Sequence, residues 1–228
     1  MAFDKNRVSV VIPAFEEEKT IASMVSGCRK YSSEIIVAVG KKSRDKTFAK
    51  AQNAGAIVFR DDGNGMGSGL MEGIRKTTKE IVVLIDADAS HDPNDIPKLI
   101  EPIINGKADL VIASRMKGGS DELSGDFSQL MRNIGGALIM LTINYRWNVR
   151  LTDCVNAFRA IRRSTVLDLG LKGKSFDIEQ EMVMKALKKK YRVSEIASHE
   201  YARKYGNSTI NLLKIGWVFV YRLIIDLF

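Results

Sequence analysis

Two aspartates, Asp86 and Asp88, follow directly on the apolar run at residues 82–85 in the stretch VVLIDADASHDP. Carboxylates spaced i, i+2 at the end of a buried strand repel one another and lose hydration unless a cation neutralises them. Their oxygens are hard donors of the kind that suits Mg²⁺ or Mn²⁺, so the reading they favour is a divalent metal that also touches a diphosphate. The competing reading is a turn whose aspartates cap a helix. His91, three residues on, is expected to be a packed or hydrogen-bonding neighbour of this loop rather than a catalyst. A second loop, VGKKSRDKT at residues 39–47, has the look of a phosphate cradle. A Walker A loop, however, needs a glycine five positions before Gly40, and Ile35 stands there.

These residues need a scaffold. Short apolar, β-branched runs at residues 8–12, 35–39, 56–59, 81–85 and 110–113 predict strands covered on both faces. Between them, helical periodicity predicts helices near residues 19–31, 46–53, 67–77 and 95–105. Strand-helix alternation at this spacing implies an α/β fold, with a largely parallel sheet and helices on both faces. Ligands then bind beyond the carboxyl ends of the strands. Those ends are Pro13 to Glu17, the GKKS loop, the stretch RDDGNGMGSG at 60–69, Asp86 to Asp88, and Ser114-Arg115. After Arg115 comes a glycine-rich polar stretch, 117–124, expected to be a mobile loop, then an apolar helix over 129–145.

The chain has 228 residues, 45% of them hydrophobic, and a formal charge of +8, which suits one domain and anionic partners. Nucleic acid has little support, because the basic residues are scattered and no recognition motif is present. Cys28 and Cys154 lack metal spacing and are expected to be buried packing residues of a reduced, cytoplasmic protein. The amino terminus lacks the apolar stretch of a secretory signal. Lys188-Lys189-Lys190 is expected to be a solvated carboxyl-terminal turn of a helix, with contact to anionic lipid as the alternative. The final segment, 211–228, reads as a helix with one imperfect polar stripe (Asn211, Lys214, Arg222, Asp226) opposite Leu213, Val220, Leu223, Ile224 and Leu227. Lying in a membrane interface and packing on the domain or on a second copy of the chain are equal readings of it.

Taken in order, VSVVIPAFEEEKTI, GNGMGSG, VVLIDADASHDP, VIASR, LTDCVNAFRAIRR and ARKYGNST resemble the family 2 glycosyltransferases of the GT-A fold, and among these the dolichol-phosphate mannose synthases. The resemblance spans nearly the whole chain. It implies a catalytic domain over 1–205, followed by an amphipathic helix over 206–228. It also implies inverting transfer of a hexose from a nucleotide-diphospho-sugar to a polyprenyl (dolichyl) phosphate at the cytoplasmic membrane face, with Mg²⁺ or Mn²⁺. Mannose from GDP-mannose is the first expectation; glucose or an N-acetylhexosamine from a UDP donor is the second. An inactive nucleotide-binding or membrane scaffold of the same fold is the alternative outside catalysis. Sugar nucleotidyl transfer would call for a glycine-rich, lysine-bearing signature after the first strand, which PAFEEEKT is not.

Carried over by position, Pro13, Phe15 and Glu17 line the nucleotide pocket, while Asp86, Ala87 and Asp88 meet ribose, diphosphate and metal. Ser90 stands where relatives place a metal ligand. Arg115 contacts the donor, Arg132 holds the acceptor phosphate, and Arg203 lies over the donor diphosphate. Metal and guanidinium groups would stabilise the charge that develops on the leaving diphosphate. A lipid monophosphate is already ionised near neutral pH, its second pKa being about 6, so a strong general base is not required. Asp153 is the best remaining carboxylate near acceptor or sugar, with a structural partner of Arg159 or a helix cap as its other reading. Three departures concern specificity. Gly40-Lys41-Lys42-Ser43 replaces a family Asp-Asp-Gly-Ser that helps to read the base, Gly136 replaces a serine, and Thr209 replaces a lysine. Lys41 cannot accept a hydrogen bond from a base, so recognition there must be rebuilt from other groups.

Overall fold

The computed structural model describes residues 4–121, 127–205 and 212–227, with side chains in all of these except 127–133 and 212–215. All five apolar runs form strands: β1 (Val8–Ala14), β2 (Glu34–Val39), β3 (Ile57–Arg60), β4 (Ile81–Leu84) and β5 (Leu110–Ser114). Two strands lie outside those runs, β6 (Arg159–Arg162) and β7 (Val193–Ala197). Together they make one seven-stranded sheet in the order β3-β2-β1-β4-β6-β5-β7. Only β6 runs antiparallel, to both β4 and β5.

Four helices fall where periodicity places them: α1 (Ile21–Cys28), α2 (Thr47–Asn53), α3 (Met66–Lys76) and α4 (Ile96–Ile104). Side chains alternate across the strands, and the two faces gather separate cores. Val10, Ile12, Val37 and Val83 pack with Met24, Val25, Leu99 and Ile103 of α1 and α4. Val11, Ile36, Val82 and Leu84 pack with Leu70 and Ile74 of α3, and with α6 (Phe127–Trp147), α7 (Arg163–Asp168) and α8 (Asp177–Lys188). Each fully buried Val, Leu or Ile contributes about 1.5–3 kcal/mol through lost apolar exposure. Cys28 and Cys154 are buried free thiols in these cores, pushed up to about 12 by burial.

The chain winds outward from β1 through β2 to β3, then restarts on the other side of β1 at β4. This reversal opens a crevice beyond the carboxyl ends of β1 and β4, where Phe15 and Asp86 stand. The glycine-rich stretch borders that crevice for a packing reason. A Cβ on Gly67 would come 2.6 Å from the Gly173 carbonyl oxygen. Gly65 has φ +109, and its Cβ would come 2.2 Å from the Lys174 carbonyl oxygen. Glycine thus lets the start of α3 lie directly on the loop before α8.

Within residues 117–124, Lys117 and Gly118 finish a short helix, α5 (Arg115–Gly118), and Ser120 bridges to Glu200. Residues 122–126 lie outside the described residues. Lys188, Lys189 and Lys190 are exposed at the end of α8, with Lys189 Nζ 2.8 Å from Asp168.

The last helix, α9 (Leu212–Leu227), is oriented opposite to the usual rule that polar stripes face water. Arg222 and Asp226 are only 8% and 7% exposed, turned toward α8. The Arg222 guanidinium pairs with Asp177 at 2.7 Å, Glu181 at 3.2 Å and Asp226 at 3.4 Å. Leu223 and Leu227 also pack inward, while Val220 and Ile224, expected beside them, are exposed. The helix therefore presents Trp217, Val220, Tyr221, Ile224 and Ile225 outward.

Candidate active site

One cleft of about 2340 Å³ opens over the carboxyl ends of the strands. It brings together Pro13, Phe15, Glu17, Lys41, Asp86, Ala87, Asp88, Ser90, Arg115, Asp153 and Arg203. The side chain of Arg132 lies outside the described residues, as does Thr209.

Ile85 still donates its amide to the Val11 carbonyl, so the chain leaves the sheet only at Asp86. Burial, and then the charge of Asp88, raise Asp86 to about 7. Asp88 Oδ1 accepts from the Ser90 amide at 3.0 Å and the Ser90 hydroxyl at 2.7 Å. Its Oδ2 pairs with Arg203 at 2.9 Å, and Arg203 also stands 3.6 Å from Glu17. Burial raises Glu17 as well, with Asp88 adding to the effect. Arg203 reaches this cluster because the chain leaving β7 crosses the Asp86 loop, where the Tyr201 amide donates to the Ser90 carbonyl at 2.8 Å. The arginine thus lies over the aspartates and supplies part of the positive charge they need.

Arg115 and Asp153 form a two-point ion pair, with Nε–Oδ2 at 2.7 Å and Nη2–Oδ1 at 3.1 Å. Burial alone would raise Asp153, but Arg115 and the amides of Val155 and Arg115 hold it below the usual carboxylate range. Asp153 also accepts from the Asn156 amide at 3.2 Å. Its partner is Arg115, not Arg159, and both of its oxygens are engaged. Arg159 is fully buried and donates to the carbonyls of Cys154, Asn156 and Glu179, tying the loop before β6 to α8. His91 is buried against Phe158, with ring centroids 5.2 Å apart, and burial pushes it down to about 4, so it is neutral.

The GKKSRDKT loop divides into two parts. Ser43, Asp45 and Thr47 accept from the amides of Glu16, Glu18 and Glu17, clasping the turn that follows β1. Lys41 and Lys42 line the cleft. Phe15, 48% exposed, lies against Gly40, where a Cβ would come 2.8 Å from its ring. The Lys41 amide donates to Asp61 Oδ1 at 2.8 Å, as does that of Gly63 at 2.9 Å. That leaves Asp61 Oδ2 without a hydrogen bond among the described residues, on the cleft wall. Asp61 was not singled out by sequence reasoning. Its signal was its place directly after β3, beside the loop that lost its aspartates.

At its far end the cleft turns apolar and runs between α6 and α9, lined by Leu138, Ile139, Leu141, Trp217, Phe219 and Leu223. Gly135, Gly136 and Gly216 lie along this arm with nothing within 4 Å of their Cβ positions.

A mostly parallel α/β sheet with paired strand-end aspartates, and with Arg115 and Arg203 beside them in one cleft, is the architecture of the GT-A glycosyltransferases. Residues 9–170 match glycosyl transferase family 2, and the chain belongs to that family and is a glycosyltransferase. It is 26% identical over 240 residues to the UDP-N-acetylglucosamine–dolichyl-phosphate N-acetylglucosaminyltransferase of Methanococcus voltae, covering 95% of this chain and 94% of that one. It is 31% identical over 189 residues to the dolichol-phosphate mannosyltransferase of Pyrococcus furiosus, covering 78% of this chain and 53% of that one. Glucosyl-3-phosphoglycerate synthase from Mycobacterium tuberculosis, solved with Mn²⁺, UDP and phosphoglyceric acid, superposes with a TM-score of 0.75. At 19% identity over 96% of this chain and 78% of that one, it shares the fold.

Proposed function

We propose that this glycosyltransferase moves a hexose from a nucleotide-diphospho-sugar onto the phosphate of a polyprenyl phosphate such as dolichyl phosphate. The observation that carries the reading is the continuity of the cleft. A charged end built from Asp86, Asp88, Arg115 and Arg203 runs without a break into the apolar arm between α6 and α9. A nucleotide diphosphate suits the first and an isoprenoid chain the second. The test is transfer by purified protein from GDP-mannose, UDP-glucose or UDP-N-acetylglucosamine to a polyprenyl phosphate with MgCl₂ or MnCl₂. Glycosylated lipid is expected, and no product from any of the three donors overturns the reading.

The donor set fits a divalent cation shared with the substrate. Two carboxylates and one hydroxyl stand together at Asp86, Asp88 and Ser90, and Asp86 is raised by burial and then by the charge of Asp88, a pairing that a cation would relieve. Among the described residues no three acidic, His or Cys side chains group to hold a metal by themselves, so diphosphate oxygens would complete the shell. Such a cation, Mg²⁺ or Mn²⁺, supplies charge stabilisation for the leaving diphosphate. Arg203 and Arg115 add fixed positive charge beside it, and the Asp153 pair holds the Arg115 guanidinium in place.

For the base, Phe15 offers a ring face, Asp61 an acceptor and Lys41 a donor. This set suits guanine or uracil, whose ring N–H lies next to a carbonyl, over cytosine, whose ring nitrogen is an acceptor. GDP-mannose remains the first donor, and a UDP-sugar is the second reading, favoured by the name of the Methanococcus relative. Asp61→Asn keeps an oxygen for the Lys41 and Gly63 amides but turns an NH₂ toward the base. Calorimetry is expected to give about tenfold weaker GDP or UDP binding, the loss of one hydrogen bond to a charged group. Unchanged affinity, or tightest binding of CDP, would remove Asp61 from this role.

The outward faces of α6 and α9 carry Leu138, Leu141 and Tyr145 at 60%, 67% and 91% exposure beside Trp217 at 75%. An apolar surface of this kind beside a lipid groove suits peripheral attachment to a membrane. Among the described residues, no helix is long and apolar enough to cross one. Paired Leu141→Glu and Trp217→Glu changes are expected to abolish co-sedimentation with anionic phospholipid vesicles while leaving nucleotide binding intact. Full co-sedimentation of the variant would show that this face is not the one that attaches.

A further inference from the structure

Glu195 is a buried carboxylate that the site described so far does not use. It stands on β7, the last strand of the sheet, opposite Ile112 of β5, and its side chain is 1% exposed. Its Oε1 accepts from the amides of Thr152 at 2.7 Å and Asp153 at 2.8 Å. Its Oε2 accepts from the Thr152 hydroxyl at 2.9 Å and stands 2.9 Å from Lys117 Nζ. Glu195 itself does not line the cleft, whereas Arg115, Thr152 and Asp153 do.

These donors come from the two segments that carry the Arg115–Asp153 ion pair. Thr152 and Asp153 lie in the loop before β6, and Lys117 belongs to α5, whose first residue is Arg115. The Thr152 hydroxyl, having donated to Glu195, accepts from the Ser114 hydroxyl at 2.6 Å. Ser114 in turn caps α5, its Oγ accepting from the Lys117 amide at 3.3 Å. One carboxylate thus fixes the backbone of Asp153 and, through Thr152, the turn from which Arg115 projects. For stability alone a carboxylate is a poor choice here, because apolar side chains of similar volume often stabilise a buried site as well or better. Its advantage is placement, since a functional group acts fully only when supporting hydrogen bonds hold it within about 0.5 Å of its working position. Arg115 has that need, because the direction of its guanidinium in the cleft is set by both oxygens of Asp153.

We propose that Glu195 is a positioning residue for the donor diphosphate: by holding the Thr152–Asp153 turn against α5, it fixes the direction in which Asp153 aims the Arg115 guanidinium. The inference rests on the nucleotide-sugar reading of the cleft, and its test separates the two. GDP and UDP binding in MgCl₂ is measured by calorimetry on wild type, Glu195→Asp, Glu195→Gln, Arg115→Lys and the double variant of Glu195→Asp with Arg115→Lys. Glutamine keeps an oxygen at the same reach for both amides and gives up the charge, whereas aspartate keeps the charge and draws it back by one methylene. Positioning makes aspartate the more harmful change: about tenfold weaker binding of the preferred diphosphate, the loss of one hydrogen bond to a charged group, against less than about threefold for glutamine. Arg115→Lys keeps the cation but cannot offer Asp153 the paired donors of a guanidinium. In that background Glu195→Asp is expected to add less than about twofold, since the group that Glu195 places is already gone. Losses that multiply in the double variant, or a larger loss with glutamine than with aspartate, overturn the assignment. Wild type that binds neither GDP nor UDP sinks the nucleotide-sugar reading and the assignment with it, whereas wild-type affinity in Glu195→Asp sinks the assignment alone. Should Glu195→Asp fail to fold, Thr152→Val removes the hydroxyl link to Ser114, leaves both amides on Glu195, and carries the same cycle with an expected loss of about threefold.

Discussion

Asparagine in place of Asp88 is expected to lower sugar transfer by about 10²–10³-fold, the loss typical of removing one group that stabilises developing charge. The variant isolates charge from structure. Asp88 Oδ1 accepts two hydrogen bonds from Ser90, and the amide oxygen of asparagine can accept both. The loop after β4 therefore keeps its turn. At the other oxygen the change is severe, because an NH₂ now faces Arg203 Nη2 across 2.9 Å, where a carboxylate stood. Arg203 is left with Glu17 at 3.6 Å, and the proposed cation site loses one of its two carboxylates. Thermal unfolding should shift by no more than a few degrees. Transfer within tenfold of wild type would show that Asp88 holds the loop and not the reaction.

How much of this could be read from the chain depends on whether each feature is local. Of the parallel strands, β1, β2, β4 and β5 are legible because they are buried on both faces and so almost wholly apolar. β3 reads from its β-branched run although, as an edge strand, it leaves Ile57 and Arg60 exposed rather than covered. β6 is not legible, since its four residues are Arg-Ala-Ile-Arg, and the buried Arg159 is satisfied by backbone carbonyls of Cys154 and Asn156 in the preceding loop and of Glu179 on α8. β7, Val-Ser-Glu-Ile-Ala, hides for a similar reason, with Glu195 accepting from the amides of Thr152 and Asp153. α8 buries Asp177, Glu179, Gln180 and Glu181 in its first turns, an inversion of the pattern by which a helix is recognised. The same contrast runs through the site. Asp86 and Asp88 announce themselves by following a buried strand, whereas Asp61 and Glu195 are single carboxylates whose meaning appears only when the fold brings their partners to them. The loop at 39–47 was legible in part: its lysines do face the cleft, but the use of Ser43, Asp45 and Thr47 as a clasp on the turn after β1 needed the fold.

The orientation of α9 leads to the second large effect. Arg222→Met is expected to destabilise the protein by about 3 kcal/mol, the lower end of the cost of removing one partner from a buried ion pair, because this cluster lies near the rim. The arginine is the cation that Asp177 and Asp226 share, and without it these carboxylates face each other with little compensation. Glu181 keeps Lys185 at 2.7 Å and the amides of Lys172 and Gly173, so the loss falls on the contact between α8 and α9 rather than on α8 itself. Removing the charges as a group should cost less, and adding Asp226→Leu and Asp177→Asn to Arg222→Met is expected to recover part of the stability, as when a buried ionic cluster is replaced by apolar groups. Urea unfolding of the single and triple variants measures both. The functional consequence is selective. α9 forms one wall of the apolar arm, while Phe15, Asp61 and Asp88 stand on loops that α9 does not hold. In Arg222→Met at 25 °C, nucleotide binding should persist while the KM for a long polyprenyl phosphate rises more than that for a short-chain analogue. Equal losses with both acceptors would mean that α9 supports the whole domain and not the lipid groove.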